Sequence, residues 1–528
     1  MQSFNALFTR WDQPNAPGCV AGVIQNGSVI QAGCFGSANL DHGLPLTLDS
    51  VFNTASLSKQ FTAACILLLE QQGEISLDDD IHRMIPEFPT YGSTITIRHL
   101  IHHTAGIRDY LLLMGMAGID TDIQYFNNQS ALEVIYRQDR LDFPPGEEFV
   151  YSNSGYILLA EIVRRVTASS LGQFARERIF SPLGMDRTLF EEDHSAVLPG
   201  RVSSYRPGPG GYHRYIKNFD AVGDGGLWTS FNDLVKWANN FTAPKVGGPD
   251  LLERMLVCPS LGNQRRSQYA CGLAHGSYRG LPTVYHGGLV SGFRSILMRF
   301  PQQDLAVIIL ANLAPFNTTA LAEQVADLFL EQAGVLPPRP PEKAGLSAEQ
   351  IDGLCSFYLG SSGLNIEISQ KQGSLFALAL GMVVPVIPLS VAAGQIICRS
   401  AGGLFSMHFS FEREAAGNPW RLHARVEMHD MGILEMVTPQ ENAAHAFLPE
   451  PGEYHSKELQ TNCRISKEDG RIWLRFPASE PVALRSIDDI HWVYPGGTLE
   501  FLPDQRNGTD GFYLSAGRPR NLAFKRIA

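Results

Sequence analysis

The chain has 528 residues, of which 44% are hydrophobic and 18% are charged, a composition typical of a globular protein with about two to four domains. Its 42 basic and 53 acidic side chains give a formal net charge of -11 and are spread along the chain rather than clustered. This distribution excludes the basic surface of a nucleic-acid-binding protein, so we expect no nucleic-acid partner.

The N-terminus predicts a cytoplasmic protein. Residues 1–18, MQSFNALFTRWDQPNAPG, lack the basic cluster and the apolar run of a secretory signal.

The eight cysteines form no C-x-x-C pair, so we expect reduced thiols rather than a disulfide framework. These cysteines are Cys19, Cys34, Cys65, Cys258, Cys271, Cys355, Cys398 and Cys463.

Two hairpin patterns at opposite ends of the first 335 residues predict one antiparallel sheet. In residues 20–36, two apolar runs are joined by Asn26 and Gly27, a pair that favours a two-residue hairpin turn. Residues 293–312 show a second hairpin pattern, and the apolar spacing of residues 319–334 predicts a helix after it. We expect helices on both faces of this sheet, with residues 54–250 supplying those on one side.

The segment TASLSKQFTAACILLLEQQGEI, residues 54–75, places Ser56 and Lys59 at the start of an apolar helix. Residues three apart share a helix face, so the lysine amine can reach the serine hydroxyl. A lysine partly removed from water is more readily neutral and can take the serine proton. The N–H groups at a helix start also suit an oxyanion. The alternative is an N-cap serine beside a surface lysine, since S-x-x-K occurs by chance in many proteins.

A phenol and an amide lie together in the segment FPPGEEFVYSNSGYILLAEIV, residues 143–163. Tyr151 and Asn153 occupy a short loop just before a predicted helix. A phenol can relay a proton between a nucleophile, a base and a leaving group, whereas an amide can hold both Lys59 and a substrate amide. Each residue alone is more often structural, so the pair gains meaning from the other motifs.

A histidine and two glycines follow in the segment VYHGGLVSGFRS, residues 284–295. His286, Gly287 and Gly288 lie on a predicted strand that leads into the second hairpin. Glycines within a strand let another backbone approach closely, so we expect a substrate to lie along this strand edge. A structural histidine beside two glycines is the alternative.

A proline-rich stretch, LPPRPPEKAG at residues 336–345, predicts a linker between domains. Beyond it, ISQKQGSLF (residues 368–376) and ISKEDGRIW (residues 465–473) repeat one pattern, each after a tyrosine at nearly equal distance. We therefore predict a first domain over residues 1–335 and two similar β domains, sandwiches or small barrels, over 346–447 and 448–528.

One uncharged stretch, residues 375–397, has the length of a membrane span. Pro385 and Pro388 interrupt it, so we interpret it as two or three core strands with a proline-marked corner, and we expect no membrane partner.

The three motifs, in this order and spacing, resemble the serine β-lactamase and penicillin-binding protein superfamily, in particular its class C-like branch with S-x-x-K, Y-x-N and K/H-x-G elements. Secondary elements agree: LIHHTAGIRDY (residues 100–110) looks like the family's H-T-S-G-L loop, and PLGM (182–185) and GDGGLWTSFNDLVKW (223–237) match later elements. The resemblance covers about residues 16–334. It implies an α+β catalytic domain with an antiparallel sheet flanked by helices, followed here by two antiparallel β-barrels.

The resemblance also implies the roles of the site residues. Ser56 would be the nucleophile, Lys59 its activating base, Tyr151 a proton shuttle and Asn153 a positioning residue. The backbone N–H groups of Ser56 and Leu289 would form the oxyanion hole, and His286, Gly287 and Gly288 would line the substrate strand. The sequence leaves open whether the lysine or the tyrosine is the primary base. Neither a cofactor nor a metal is implied.

One departure from the family pattern bears on the substrate. His286 stands where many relatives have lysine, and a mostly neutral histidine weakens the positive charge that would hold a substrate carboxylate. Asp224 is a candidate to bind a substrate ammonium group; a turn residue beside glycines is the alternative.

The domain order and the His-Gly-Gly motif resemble the bacterial D-aminopeptidases, in which a loop of the last domain reaches the active site. Here the corresponding turn, residues 475–484, looks shorter.

We therefore expect a serine hydrolase that forms an acyl-enzyme on amides or esters, with D-amino acid amides or short peptides carrying a free N-terminal D-residue as substrates. A promiscuous esterase or weak β-lactamase, an acyl transferase that cyclises peptides, and a non-catalytic penicillin-recognition module are the alternatives. The expected partner is this small-molecule or short-peptide substrate, and a homodimer is compatible with the sequence.

Overall fold

The chain divides into two compact units in the computed structural model. The first contains Met1–Ile107, Thr121–Tyr136 and Phe143–Pro338, and the second contains Arg108–Asp120, Arg137–Asp142 and Arg339–Ala528. Two short segments of the predicted first domain thus group with the C-terminal region. The structure describes residues 3–121, 123–262, 266–332, 334–335, 344–360, 363–379, 382–392, 394–400, 407–415, 417–426, 429–439, 448–477, 479–503 and 509–527.

The first unit contains a six-stranded antiparallel sheet built from both ends of its sequence. In spatial order, its strands are Ala274–Tyr278, Leu281–Val290, Phe293–Phe300, Leu305–Ala311, Cys19–Gln25 and Ser28–Phe35. Cys19 pairs with Ala311, so the N-terminal hairpin joins the C-terminal one, as predicted. Asn26 and Gly27 have φ values of 50° and 75°, which suit the hairpin turn that joins these strands.

Helices and short strands complete the first unit. The helices are Phe4–Phe8, Lys59–Gln71, Ile97–Ile101, Asn128–Tyr136, Asn153–Thr167, Leu171–Ala175, Ser181–Leu183, Phe231–Asn240, Gly248–Met255 and Thr318–Gln332, with the 3-10 turns Thr9–Trp11, Ala55–Ser58, Ile81–Arg83 and Pro301–Gln303 and the π turn Arg176–Phe180. The short strands are Ser37–Asn39, Leu44–Pro45, Phe52–Asn53, Leu189–Phe190, Tyr205–Gly208, Gly211–Arg214 and Leu227–Thr229. Helix Lys59–Gln71 is buried from Lys59 to Leu69, which explains why its sequence is apolar all round.

The second unit contains two closed antiparallel barrels of eight strands each. The first has the strands Ser356–Gly360, Asn365–Lys371, Ser374–Ala379, Met382–Ala392, Gln395–Ser400, Met407–Glu412, Arg421–Val426 and His429–Val437; the second has Gly452–Ser456, Thr461–Glu468, Arg471–Arg475, Val482–Ser486, His491–Tyr494, Gly497–Pro503, Thr509–Ala516 and Leu522–Arg526. The predicted fold class, an α+β domain with two antiparallel barrels, is confirmed.

The internal repeat corresponds to equivalent positions of the two barrels. Tyr358 and Tyr454 lie on the first strand of each barrel and are fully buried. The Tyr358 hydroxyl donates to the Leu354 carbonyl oxygen at 2.9 Å, and the Tyr454 hydroxyl donates to the Glu450 carbonyl oxygen at 2.7 Å. In each barrel, therefore, a tyrosine of the first strand makes the same hydrogen bond to the backbone four residues earlier.

The uncharged residues 375–397 run through three successive strands of the first barrel, with residues 380, 381 and 393 outside the described part. The pairing register shifts between Pro388 and Ser390, where the proline-marked corner was predicted. Among the described residues, no helix is long and apolar enough to cross a membrane.

A buried charge cluster lies within the second unit. The Arg108 Nε donates to Asp142 Oδ1 at 3.0 Å, the Arg108 Nη1 pairs with Glu458, and the Arg108 Nη2 donates to the Arg520 carbonyl oxygen at 2.8 Å. Burial raises the pKa of Asp142 to about 6, and Arg108 opposes that shift. The cluster links both short segments of this unit, Arg108–Asp120 through Arg108 and Arg137–Asp142 through Asp142, to the second barrel.

Most of the predicted linker, residues 336–343, lies outside the described residues. The exact domain boundaries at 335 and 447 therefore remain predictions.

Candidate active site

Ser56 lies on a short 3-10 turn, Ala55–Ser58, that leads into helix Lys59–Gln71. Its side chain is half-buried, whereas its neighbours Ala55 and Leu57 are buried. Ala55 has a φ of 49°, a left-handed conformation that is rare for alanine, and its N–H donates to Asn53 Oδ1 at 2.9 Å. The serine thus lies one turn earlier than the first α-helical residue, on a turn held by side-chain bonds.

The Lys59 side chain is fully buried, and its Nζ contacts three oxygens. Its Nζ lies 3.1 Å from Ser56 Oγ, 2.9 Å from Asn153 Oδ1 and 2.5 Å from the Asp224 carbonyl oxygen. The amide and carbonyl oxygens can only accept hydrogen bonds, so they orient two of the N–H bonds. The third direction faces the serine hydroxyl, where a neutral amine would present its lone pair.

Tyr151 and Asn153 flank the start of helix Asn153–Thr167. The Tyr151 ring is 7% exposed, and the Lys59 Nζ lies 4.9 Å from its centroid. Asn153 is the first residue of the helix, and its side-chain oxygen reaches the lysine directly. The Y-x-N motif therefore supplies one aromatic and one hydrogen-bonding contact to the same amine.

The His-Gly-Gly motif lies on strand Leu281–Val290. His286 is 1% exposed; its Nδ1 lies 2.6 Å from the Gly287 carbonyl oxygen and its Nε2 lies 3.0 Å from the Tyr269 hydroxyl. Because a carbonyl can only accept, we assign an imidazole proton to Nδ1. The ring is thus held from both sides.

Gly288 brings this strand against the turn that carries Ser56. A Cβ atom on Gly288 would lie 2.0 Å from the Thr54 carbonyl oxygen, whereas one on Gly287 would lie 3.4 Å from its nearest atom, the Ser295 carbonyl oxygen. Leu289, the next residue, is 37% exposed. The two segments that carry the predicted oxyanion donors, the N–H groups of Ser56 and Leu289, therefore meet at Thr54 and Gly288.

Asp224 reaches the site through its backbone carbonyl oxygen, which accepts from Lys59. Asp224 is 7% exposed. The preceding Gly223 has a φ of 114°, and a Cβ atom on it would lie 2.5 Å from the Tyr156 carbonyl oxygen. The close approach of Gly223 thus shapes the turn that points the Asp224 carbonyl oxygen at Lys59. The predicted role of the Asp224 carboxylate stays a prediction.

The motifs did not identify two aromatic residues that join them. Tyr269 is fully buried, and burial raises its pKa well above the usual range, so it remains a neutral phenol, with its hydroxyl 3.0 Å from His286 Nε2. His103 packs against Tyr151 with ring centroids 4.2 Å apart and against Tyr269 at 4.6 Å. His103 lies in the loop that the family resemblance singled out, but Tyr269 lies in no motif.

Curated relatives with sequence similarity include several D-aminopeptidases. The chain is 28% identical over 539 residues to a D-aminopeptidase of Brucella anthropi, a match that covers 97% of this chain and 95% of the relative. It is 29% identical over 362 residues to a D-aminopeptidase of Gluconobacter oxydans, which covers 68% of this chain and 66% of that relative, just under two thirds of its length.

Solved structures with the same fold include a penicillin-binding protein homologue from Pyrococcus abyssi, with a TM-score of 0.57 and 22% identity, covering 80% of this chain and 96% of that one. The D-amino acid amidase of Ochrobactrum anthropi SV3 has a TM-score of 0.53 and 21% identity, covering 62% and 99%. The model of the Beta-lactamase family matches residues 4–330. The chain therefore belongs to the β-lactamase family and is a hydrolase of that family.

Proposed function

We propose that this hydrolase works through an acyl-enzyme on Ser56, with Lys59 as the base that activates it. The observation that carries the proposal is the 3.1 Å contact between Lys59 Nζ and Ser56 Oγ, made by a fully buried amine whose other contacts include two oxygens that can only accept. A buried amine favours its neutral form. It can then receive the serine proton as Oγ attacks the substrate carbonyl carbon.

The proposed reaction has two halves. In the first, Oγ bonds to the carbonyl carbon, the oxyanion receives N–H bonds from Ser56 and Leu289, and the proton held at Lys59 passes through Tyr151 to the leaving amine or alcohol. The bond to the leaving group then breaks and leaves the acyl-enzyme. In the second half, a water molecule gives its proton to the same base and attacks the ester, which releases the acid and restores the serine hydroxyl.

We infer that the substrates carry a free amino group, with D-amino acid amides and short peptides as the class. Support comes from relatives that are named D-aminopeptidase and match most of this chain. Further support comes from His286, which the family resemblance places where many relatives have a lysine, because a histidine carries a positive charge at neutral pH less readily than a lysine does. Asp224, whose backbone carbonyl oxygen accepts from Lys59, also carries a carboxylate, and a carboxylate near the substrate would favour an ammonium group.

The test compares a D-amino acid p-nitroanilide with its L-enantiomer, its N-acetyl derivative, a matched ester and nitrocefin. We expect the D-compound with a free amine to have the highest kcat/KM among the amides and a higher value than nitrocefin. A charged contact in the transition state contributes about 1.5 to 3 kcal/mol, so acetylation should lower kcat/KM roughly ten- to a hundredfold.

Asp224→Asn separates the carboxylate from the backbone, because the variant keeps the carbonyl oxygen that holds Lys59. It should erase most of the preference for the free amine and leave ester hydrolysis nearly intact. If the acetylated amide is the better substrate, or if Asp224→Asn slows every substrate equally, the aminopeptidase proposal fails. A promiscuous esterase, a weak β-lactamase or an acyl transferase would then take its place, according to which acyl donor and acceptor react fastest.

A further inference from the structure

His103 holds the backbone on both sides of Tyr151. The Val150 N–H donates to the His103 carbonyl oxygen at 3.1 Å, and the Ser152 N–H donates to the His103 Nδ1 at 3.2 Å. Between these two bonds, the imidazole packs on the Tyr151 ring, with centroids 4.2 Å apart and planes 34° from parallel. One residue therefore fixes the tyrosine, its predecessor and its successor.

The conformation of His103 suits this task. Its φ is 58°, in the left-handed region that histidine and asparagine adopt more readily than most other residues. Its Nδ1 receives a bond from a backbone N–H, which can only donate, so the imidazole is neutral there and carries its proton on Nε2. A change of residue at this position would lose the acceptor, the ring or the backbone conformation.

The His103 ring also lies between the second and third motifs. Its other neighbours include Tyr156, at 5.0 Å between centroids, and Tyr269, at 4.6 Å. The Tyr269 hydroxyl is hydrogen-bonded to His286 of the His-Gly-Gly strand. With 3% of its surface exposed, His103 is packed on several sides, so its ring cannot move without displacing a neighbouring aromatic residue.

We propose that His103 is a positioning residue that holds the Tyr151 ring in its position beside the Lys59 amine. The inference rests on the proposed function, in which Tyr151 relays the proton to the leaving group. The lysine lies 4.9 Å from the centroid of that ring, and a misplacement of about 1 Å in such a relay costs on the order of a hundredfold in rate. His103 contacts the Tyr151 ring and the backbone on both sides of it, so we infer that it acts through Tyr151.

Two variants separate the two contacts of the imidazole. His103→Asn keeps an acceptor near the place of Nδ1 and tolerates the left-handed backbone, whereas His103→Phe keeps a ring and loses the acceptor. We expect His103→Phe to lower kcat about ten- to a hundredfold, with KM within about threefold, and His103→Asn to recover most of that loss. An Asn variant that loses as much as His103→Ala would overturn the role of the acceptor bond.

A double-mutant cycle with Tyr151→Phe distinguishes positioning from general disruption. If His103 acts through the phenol, His103→Phe should cost less than about threefold in kcat once the hydroxyl is gone. His102→Phe is the matched control, because His102 is also 3% exposed and adjacent in the chain. Its effect should be the same with and without the Tyr151 hydroxyl. A full His103→Phe loss in the Tyr151→Phe background would overturn the proposal.

A measurement that needs no turnover keeps this test apart from the test of the proposed function. In protein labelled with ¹⁵N-histidine, and with His103 assigned by its absence in His103→Asn, the ring shifts should report a proton on Nε2 and an accepting Nδ1. A proton on Nδ1 would overturn the positioning bond. If the expected shifts appear but a fluorophosphonate fails to label Ser56, the bond stands and the proposed function fails.

Discussion

Gly288→Ala should impair the acylation of Ser56 because it pushes the His-Gly-Gly strand away from the serine turn. The added Cβ would lie 2.0 Å from the Thr54 carbonyl oxygen and 2.6 Å from Ser295 Oγ, whereas carbon and oxygen normally stay about 3.3 Å apart. Two hydrogen bonds hold Thr54 in place. Its carbonyl oxygen accepts from Ser295 Oγ at 2.7 Å, and its N–H donates to the Leu227 carbonyl oxygen at 2.9 Å. The strand must therefore shift by about 1 Å.

That shift moves the Leu289 N–H relative to the N–H of Ser56. Loss of one oxyanion donor costs about 2.7 to 4 kcal/mol, or on the order of 10²- to 10³-fold in kcat. We therefore expect Gly288→Ala to slow both fluorophosphonate labelling and turnover of a D-amino acid p-nitroanilide by about a hundredfold. The assay is run well below the melting temperature, since overpacking also costs about 1 to 3 kcal/mol of stability.

Gly287→Ala is the matched comparison. Its Cβ would lie 3.4 Å from the nearest atom, the Ser295 carbonyl oxygen, so the strand keeps its place. We expect labelling by the small fluorophosphonate to change less than about threefold, while KM for a peptide-like substrate rises because the strand edge is bulkier. Equal losses of labelling in the two variants, or a Gly288→Ala protein as reactive as the wild type, would refute the reasoning.

Further predictions concern the nucleophile, the proton relay and the buried charge cluster. A fluorophosphonate should add to Ser56, and mass spectrometry that locates the adduct elsewhere would contradict that assignment. Lys59→Met and Tyr151→Phe should each lower kcat on the order of a hundredfold or more, with a double variant far from additive; additive losses in kcat would exclude one relay. The raised pKa of Asp142, about 6, means that stability falls as pH rises from about 4 to 6. In Asp142→Asn this fall, on the order of 2 kcal/mol, should disappear from thermal melts, and an unchanged pH dependence would contradict the raised pKa.

Local patterns were sufficient for the elements whose structure local residues decide. The Asn26–Gly27 pair predicted the turn between Cys19–Gln25 and Ser28–Phe35 because both residues tolerate positive φ. The helix predicted over residues 319–334 spans Thr318–Gln332. The spacing of Ser56 and Lys59 predicted a contact that the structure contains, since three residues bring two side chains together in a 3-10 turn as well as in an α-helix.

Other parts of the site have no local signal. The turn that carries Ser56 begins at Ala55, whose backbone is left-handed. An alanine in the sequence does not predict that conformation, which glycine adopts far more readily. His286 was expected on the basis of the family motif, but its hydrogen bond to Tyr269 was not. That bond depends on two backbone pairings: Tyr269 pairs with Ala274, and strand Ala274–Tyr278 pairs with strand Leu281–Val290, which carries His286. The resemblance named the loop of His103 without a role for its ring, because that role depends on residues almost fifty positions later.

Two buried lysines in the first unit show why the site needs long-range structure. Lys217, with a side chain 4% exposed, lies 3.1 Å from the Glu191 carboxylate; burial lowers its pKa, but the carboxylate opposes the shift and favours the ammonium form. Lys59 is buried as deeply, yet the oxygens that contact its amine in Ser56, Asn153 and Asp224 are a hydroxyl, an amide and a backbone carbonyl. Uncharged oxygens stabilise an ammonium group less than a carboxylate does, which supports the proposed role of Lys59 as the base. Two of those oxygens come from residues 94 and 165 positions away, so the S-x-x-K spacing predicts the contact with Ser56 but not the two oxygens that hold the amine beside it.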